Sequence, residues 1–544
     1  MKISKKVKIV SAAVICVIAV LAVLVVWTSG GSSDIKVTLD TESGMTVSER
    51  IKDFNDLCGF LEDNVPMLYE YEELYGVSYD DTKKYYGELV SASESDYEYF
   101  TLLFGFFSNI PSAHMDIGYP SMEYADQTQE VMENTVLLKN VWQYWENAIH
   151  EECSKHYDEE IHEMDFAYYS GEYRGVSNPT DDDLYGINKA TLLTVNGVPA
   201  DEFIKINSLF GKLKYDHVRE KPFRDGISFN DKFGEKCTVE FLDESGEKRS
   251  LEAYYGAAAD LAIMRMDHFK AADSGETAPE ITDDKTEKID LDKIDFTQEY
   301  IEIGGVTAVR DKERNLLLLE VDTFMEDGNY AADILKRASE GIDNIIIDLR
   351  YNQGGWYYNS ENLLAEVSPY DIKISNSVYI TEKRYKSKRL DPMYIFAEDS
   401  DIKGLRRISK TAEIKGRGSE DKNYCLLISD YTMSAADEFT AEFKRNVLGK
   451  VIGCNNTEGE RYGSTDMKIL ERSGLYFYFT EFKYINPNGT DNSVYGTAPD
   501  IYSDVSVENY FLREEIRSGG ENPYTIENRF KWDSVFREAV ETFK

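Results

Sequence analysis

Four short apolar runs, at residues 315–321, 344–349, 425–429 and 451–452, constrain the second half of the chain most. Each is too short to be a helix of ordinary length and reads as a buried strand. Between them, residues 331–338 and 435–448 carry helical patterning. Strands that alternate with helices predict an α/β layer over residues 297–510, followed by a helical segment at 511–544. No internal repeat or low-complexity tract interrupts the 544 residues.

Upstream, residues 49–170 read as a helical subdomain. Ile51, Phe54, Leu57 and Leu61 recur at three- and four-residue steps, as a helix with one buried face requires. A β-rich module is expected over residues 175–260. Its signals are a strand run closing on the Asn196-Gly197 turn and an alternating run at 237–242 that turns at 243–246 and resumes at 249–252. Residues 270–296 are acidic and polar and read as an exposed linker. The fold class expected is therefore α+β and multidomain.

At the N-terminus, Lys2, Lys5, Lys6 and Lys8 precede an uncharged run over residues 9–27 that ends on Trp27. At a rise of about 1.5 Å per residue the run spans about 28 Å, close to the hydrocarbon thickness of a bilayer. It exceeds the roughly 7–15 apolar residues of a cleaved signal, and Thr28-Ser29-Gly30 is a poor cleavage site. We read a cytoplasmic stretch at 1–8, a retained single-pass helix at 9–27 and a tether at 28–48, with the bulk of the chain outside the membrane.

With 60 Lys and Arg against 100 Asp and Glu, the net charge is −40, which excludes a general nucleic-acid binder. The six cysteines form no C-x-x-C pair and no disulfide framework. The six histidines include no H-E-x-x-H, and no metal or organic cofactor is expected.

Chemistry is suggested at two turns. Asp348-Leu-Arg-Tyr-Asn-Gln-Gly-Gly355 runs from a buried strand into paired glycines, a tight turn or a cradle of backbone N–H groups for an anion. In Thr432-Met-Ser-Ala-Ala-Asp437, Ser434 stands at the start of a helix, either as its cap or where a nucleophile would profit from the positive helix end. A serine nucleophile needs a base, and His114 stands apart from the other histidines in a turn after the apolar helix near residues 102–107.

Asp348-Leu-Arg-x-Asn-x-Gly-Gly355, Thr432-x-Ser-Ala-Ala-Asp437, Val451-Ile-Gly-x-x-x-Thr457-x-Gly459 and Gly496-x-x-Pro-Asp500 occur in this order. Together they resemble the core of the S41 serine peptidases, the family of C-terminal processing (tail-specific) proteases and the tricorn core. The resemblance implies Ser434 as nucleophile and an oxyanion hole from Gly354, Gly355 and Ala435. One branch of the family pairs the serine with a lysine just after the Thr-x-Gly motif, where this chain has Glu460. The tricorn-like branch takes a histidine from the N-terminal part, and His114 in Ser112-Ala-His114 is similar in setting. That branch implies a Ser434–His114 mechanism. Ser112, Asp491 and Ser493 are the candidates for orienting the imidazole.

The resemblance further implies a PDZ-like module around Leu193-Thr-Val-Asn-Gly-Val198 and protein or peptide substrates at the cell envelope. A catalytically silent protein that keeps the fold to bind peptides or ligands is the alternative from another class. An esterase on the same machinery is a second.

Overall fold

The computed structural model describes residues 37–112, 114–117, 135–154, 162–176, 185–206, 211–232, 234–255, 289–325, 330–388, 394, 396–461 and 465–544. The expected segments 1–8 and 9–27, the first part of the tether and most of the acidic linker lie outside them. Among the described residues no helix is long and apolar enough to cross a membrane.

The N-terminal subdomain is built on α1 (Val47–Asn64) and α2 (Asp96–Ser108), with the helices Tyr79–Ala92 and Thr135–Ser154 beside them. Thr46 and Glu49 form a capping box that starts α1. Phe54, Leu57 and Leu61 are buried on its inner face, where they meet Phe100, Leu103, Phe106 and Phe107 of α2. The helical reading fails at residues 163–169. There Met164 and Phe166 alternate inward in a strand, Glu163–Tyr169, that belongs to the next unit.

That unit is a sheet of seven strands, in the spatial order Glu172–Val176, Glu163–Tyr169, Gly226–Asn230, Lys248–Tyr255, Glu235–Leu242, Thr191–Val195 and Val198–Pro199. Arg174 also pairs with Thr191, which closes the sheet on itself. Both hairpins form as expected: Asn196 and Gly197 take positive φ (51° and 78°) between Val195 and Val198, and residues 235–242 pair with 248–255.

The core sheet contains β1 (Tyr300–Ile303), β2 (Val306–Asp311), β3 (Leu316–Val321), β4 (Asn344–Asp348), β5 (Asn423–Ile428), β6 (Gly449–Gly453) and β7 (Ile501–Tyr502), in that spatial order. It is antiparallel up to β3 and parallel from there on. Its central strands carry unbroken apolar runs because both faces are covered. Leu317, Leu319, Ile345, Ile347 and Leu426 pack under α3 (Tyr330–Ala338), α4 (Tyr357–Val367) and α5 (Ala435–Arg445). Leu316, Leu318, Ile346, Cys425 and Leu427 face Ile526, Val535, Phe536 and Ala539, the last three from α6 (Ser534–Glu541). The C-terminal segment is thus the second cover of the sheet and part of the core.

Two further β-units escaped the sequence reading. Ile372–Thr381 pairs along its length with Leu405–Ile414 and on its other side with Lys483–Tyr484, while Glu398–Asp399 pairs with the outer edge of Leu405–Ile414. The hairpin Thr465–Ile469 and Tyr476–Thr480 reaches into the helical subdomain, where Tyr476, Phe477 and Phe479 complete its buried core.

A buried charge network ties the glycine turn to the C-terminus. Arg350 donates to Asp348 (2.6 Å) and to both carboxylate oxygens of Asp533 (2.7 and 3.0 Å), and Arg529 joins Asp533 at 3.2 Å. Removing one member leaves buried charges unpaired, which costs about 3–5 kcal/mol. Arg350→Met should therefore lower the unfolding free energy by about 3–5 kcal/mol in urea titrations. Lys415→Gln, which breaks an exposed pair with Asp371, should leave the midpoint unchanged.

Candidate active site

The nucleophile candidate sits on a turn held from three sides. Strand β5 ends at Ile428, and the Thr432 hydroxyl donates to the Leu349 carbonyl (2.8 Å) and accepts from the Ser429 N–H (3.0 Å). The Met433 N–H donates to the Asn352 carbonyl (3.2 Å), and the Ser434 N–H to the Gly459 carbonyl (2.9 Å). These bonds force Ser434 to φ 55° and ψ −121°, a region that residues bearing a β-carbon rarely occupy. Although Ser434 occupies the N-cap position of α5, its side chain makes no capping hydrogen bond. Simple capping therefore does not explain this serine.

The glycine turn lies against it. Gly354 and Gly355 have φ 97° and 131°. A β-carbon on Gly354 would come within 2.7 Å of Ser434 Cβ, and one on Gly355 within 2.4 Å of the Phe324 backbone. Only glycine lets the turn approach this closely. The Gly354 N–H is taken by Asn352 Oδ1 (2.8 Å), while the Gly354 carbonyl accepts from Phe324 (2.8 Å) and Trp356 donates to Phe324 (3.0 Å). That bridge turns the Gly355 N–H away from Phe324. Ala435 opens α5, where a helical N–H has no partner within the helix.

His114 is brought in by backbone pairing. The strand that follows it, Asp116–Ile117, pairs antiparallel with Tyr476–Thr480, Asp116 opposite Tyr478 and Ile117 opposite Phe477. The imidazole then meets Glu460: Nδ1 lies 2.5 Å from Glu460 Oε2, and the His114 N–H donates to the same oxygen (3.1 Å). A carboxylate accepts only, so Nδ1 carries the hydrogen and Nε2 is the acceptor atom of the neutral ring. Tyr71 Oη donates to Glu460 Oε1 (3.5 Å). Burial would push the Glu460 carboxyl up, but hydrogen bonding and charge at His114 outweigh it and hold it below its ordinary value. Glu460 directly follows Gly459, whose carbonyl holds Ser434. Among the described residues, no hydrogen bond joins Ser434 Oγ to His114.

Glu460 is itself fixed by its neighbour. Arg461 Nε donates to buried Asp437 (3.0 Å), which also accepts from Thr457 Oγ1 (2.5 Å) and Asn492 Nδ2 (2.9 Å). Asp437 of α5 thereby ties down the loops at 457–461 and 492–497 together.

Of the other predicted residues, Ser112 lies beside Glu460 with its hydroxyl buried, and its carbonyl accepts from Lys212. Asp491 pairs with Lys483 (3.0 Å) and accepts from the Ser493 N–H (2.9 Å); neither residue bonds to His114. Glu460, which sequence reasoning weighed only as a misplaced base, is the group against the imidazole. Its signal was visible as an acid at the position where a lysine was expected. His217 donates its N–H to Asn455 (3.0 Å), and burial pushes its imidazole down to about 4. His156 and His268 lie outside the described residues. Among the described residues, no group of three His, Cys, Asp or Glu side chains is placed to hold a metal ion. Cys58, Cys237, Cys425 and Cys454 are unpaired thiols.

Next to Glu460, burial pushes the Glu458 carboxyl up to about 7. Its folded pKa lies above its unfolded value of 4.5, so between these pH values the folded state binds more protons and stability falls as pH rises. Between about pH 5 and 8 this contribution lowers the melting temperature as pH rises, so Glu458→Gln should lose less stability than the wild type across that range, measured by calorimetry on both proteins.

Residues 315–503 match the model of "Peptidase family S41". A "Probable CtpA-like serine protease" of Staphylococcus haemolyticus (strain JCSC1435) is 23% identical over 204 residues, 36% of this chain and 36% of that protein. One of Staphylococcus aureus (strain N315) is 23% identical over 223 residues, 41% of this chain and 37% of that protein. The match spans little more than a third of these relatives' length. Among solved structures, mature CPAF complexed with lactacystin gives a TM-score of 0.49 at 14% identity, covering 91% of this chain and 99% of that one. The photosystem II D1 C-terminal processing protease gives 0.34 at 12% identity, covering 84% and 93%.

Proposed function

We propose that the protein is a serine endopeptidase of the S41 type that works through an acyl-enzyme. The observation that carries this reading is the clamp of Glu460 on His114, one residue beyond the carbonyl that fixes the strained Ser434. Ser434 Oγ attacks the scissile carbonyl carbon and its proton passes to His114 Nε2. The Gly355 and Ala435 N–H groups receive the developing oxyanion, and Gly354 supplies the close approach. Collapse of the intermediate expels the amine, which takes the proton from His114. Water then hydrolyses the Ser434 ester, with His114 again as base. Glu460 keeps the hydrogen on Nδ1 and faces the imidazolium when it forms.

Protein or peptide substrates agree with the peptidase match over residues 315–503. The reading places the enzyme outside the membrane on an N-terminal anchor, supported by the lysines before the uncharged run 9–27. The closed β-module is assigned, on the same resemblance, to peptide capture.

A fluorophosphonate probe should label the wild-type protein at Ser434 and leave Ser434→Ala unmodified. His114→Ala and Glu460→Gln, with rates taken per folded molecule from parallel thermal melts, should cut the labelling rate and the cleavage of fluorescent casein by about 10²- to 10⁴-fold. A folded wild type that takes no label would mark a silent binding protein, and labelling with ester turnover but no protein cleavage would mark an esterase.

A further inference from the structure

Neither half of the Ser434–His114 pair is held only by its own domain. A single stretch of the β-module, Lys212 through His217, wedges between the helical subdomain and the core. The Leu213 N–H donates to the Ser108 carbonyl at the end of α2 (3.2 Å), and the Leu213 side chain lies in the helical core. On the core side, the Tyr215 carbonyl accepts from Asn455 Nδ2 (2.8 Å) and the His217 N–H donates to Asn455 Oδ1 (3.0 Å).

Two lysines of this stretch reach opposite halves of the site. Lys212 Nζ donates to the carbonyls of Ser112 (2.6 Å) and Met115, the residues that bracket the His114 turn. Lys214 Nζ bonds Asp430 (3.0 Å) and the module's own Asp225 (2.9 Å) and sits 3.4 Å from the centre of the Tyr431 ring. Asp430 and Tyr431 begin the turn that ends at Ser434. Lys214 is almost wholly buried, with 7% of its surface exposed. A buried ammonium is retained only where its partners are fixed, so its position dictates theirs.

We propose that Lys212 and Lys214 are positioning residues through which the β-module sets the distance between the imidazole and the hydroxyl. Lys212 locates the His114 turn and Lys214 the Ser434 turn. Both act through backbone and carboxylate groups that touch no substrate. The proposal rests on the peptidase reading above. It deepens that reading by making the module part of the catalytic geometry.

The test is the rate of fluorophosphonate labelling, separated into maximal rate and half-saturating probe concentration. It is run on full-length wild type, Lys212→Met and Lys214→Met, with thermal melts alongside. Each variant should lose roughly 10- to 100-fold in maximal rate at an unchanged half-saturating concentration, the scale expected for a displacement of about 1 Å. Lys212→Arg, which keeps the donors, should recover part of the loss. In a His114→Ala background Lys212→Met should cost nothing further, because the turn it holds no longer carries a base, whereas Lys214→Met should still slow labelling.

Variants that fold and label at the wild-type maximal rate would overturn the proposal and leave the peptidase reading standing. So would a loss confined to the labelled fraction and matching the fraction unfolded, since it would mark a purely structural role. A wild type that takes no label would overturn both.

Discussion

Backbone pairing between Asp116–Ile117 and Tyr476–Thr480 brings together groups separated by 346 residues, the imidazole of His114 and the carboxylate of Glu460. Closing a loop of that length costs about 5 kcal/mol in chain entropy alone. Two ladder positions and the two hydrogen bonds from His114 to Glu460, at about 1 kcal/mol each net, do not offset it. The surplus comes from apolar surface. Tyr476, Phe477 and Phe479 are buried with Phe107 and Trp142 in the helical core, and each large side chain buried contributes about 1.5–3 kcal/mol. The hairpin is therefore hydrophobic glue whose register fixes where His114 stands. A slip of one residue would turn every side chain of the short strand to its other face.

On the core side the same carboxylate depends on Asp437. It lies in the first turn of α5, wholly buried, and gathers Thr457, Arg461 and Asn492 onto one carboxyl group. Buried pairs of this kind are weak arguments for stability, because desolvation consumes most of the attraction. Their effect here is geometric. Asp437 sits three residues after Ser434 and Arg461 one residue after Glu460, so the ion pair couples the helix headed by Ser434 to the loop that carries Glu460. The Arg350–Asp348–Asp533 network does the same beneath the glycine turn, tying it to the start of α6.

What the sequence discloses follows the range of the interaction that determines it. The strands at 315–321, 344–349 and 425–429 were legible because burial on both faces leaves an unbroken apolar run. The Asn196-Gly197 turn was legible because positive φ demands such residues there. The strand Glu163–Tyr169 was absorbed into the helical reading because only Met164 and Phe166 mark its period before tyrosines blur it. Ile372–Thr381 carries a clear two-residue alternation, and the burial along it follows that alternation, so this strand was readable and was missed. Glu460 belongs to another class. Its one local mark is an acid where the resemblance implies a lysine, and its contact with the imidazole arises only once a hairpin elsewhere has delivered His114. Asp491 attracted attention by nearness in sequence to a motif, yet it caps the short helix Asn492–Tyr495 and pairs with Lys483.

An acid at residue 460, where the resemblance implies a lysine, has a consistent electrostatic logic. A lysine there would bring its own proton acceptor to the serine and would need no histidine. A glutamate in the same buried place cannot do that work, and left alone it would be driven to protonate. His114 removes that penalty by donating from Nδ1, and the contact is worth more when the ring is charged than when it is neutral. In the proposed mechanism the ring is charged only while the tetrahedral intermediate exists, so the pair stabilises that state over the resting one. The acid and the histidine therefore make sense only together. A chain that kept one and lost the other would hold either an unpaired buried carboxylate or an imidazole with no fixed tautomer.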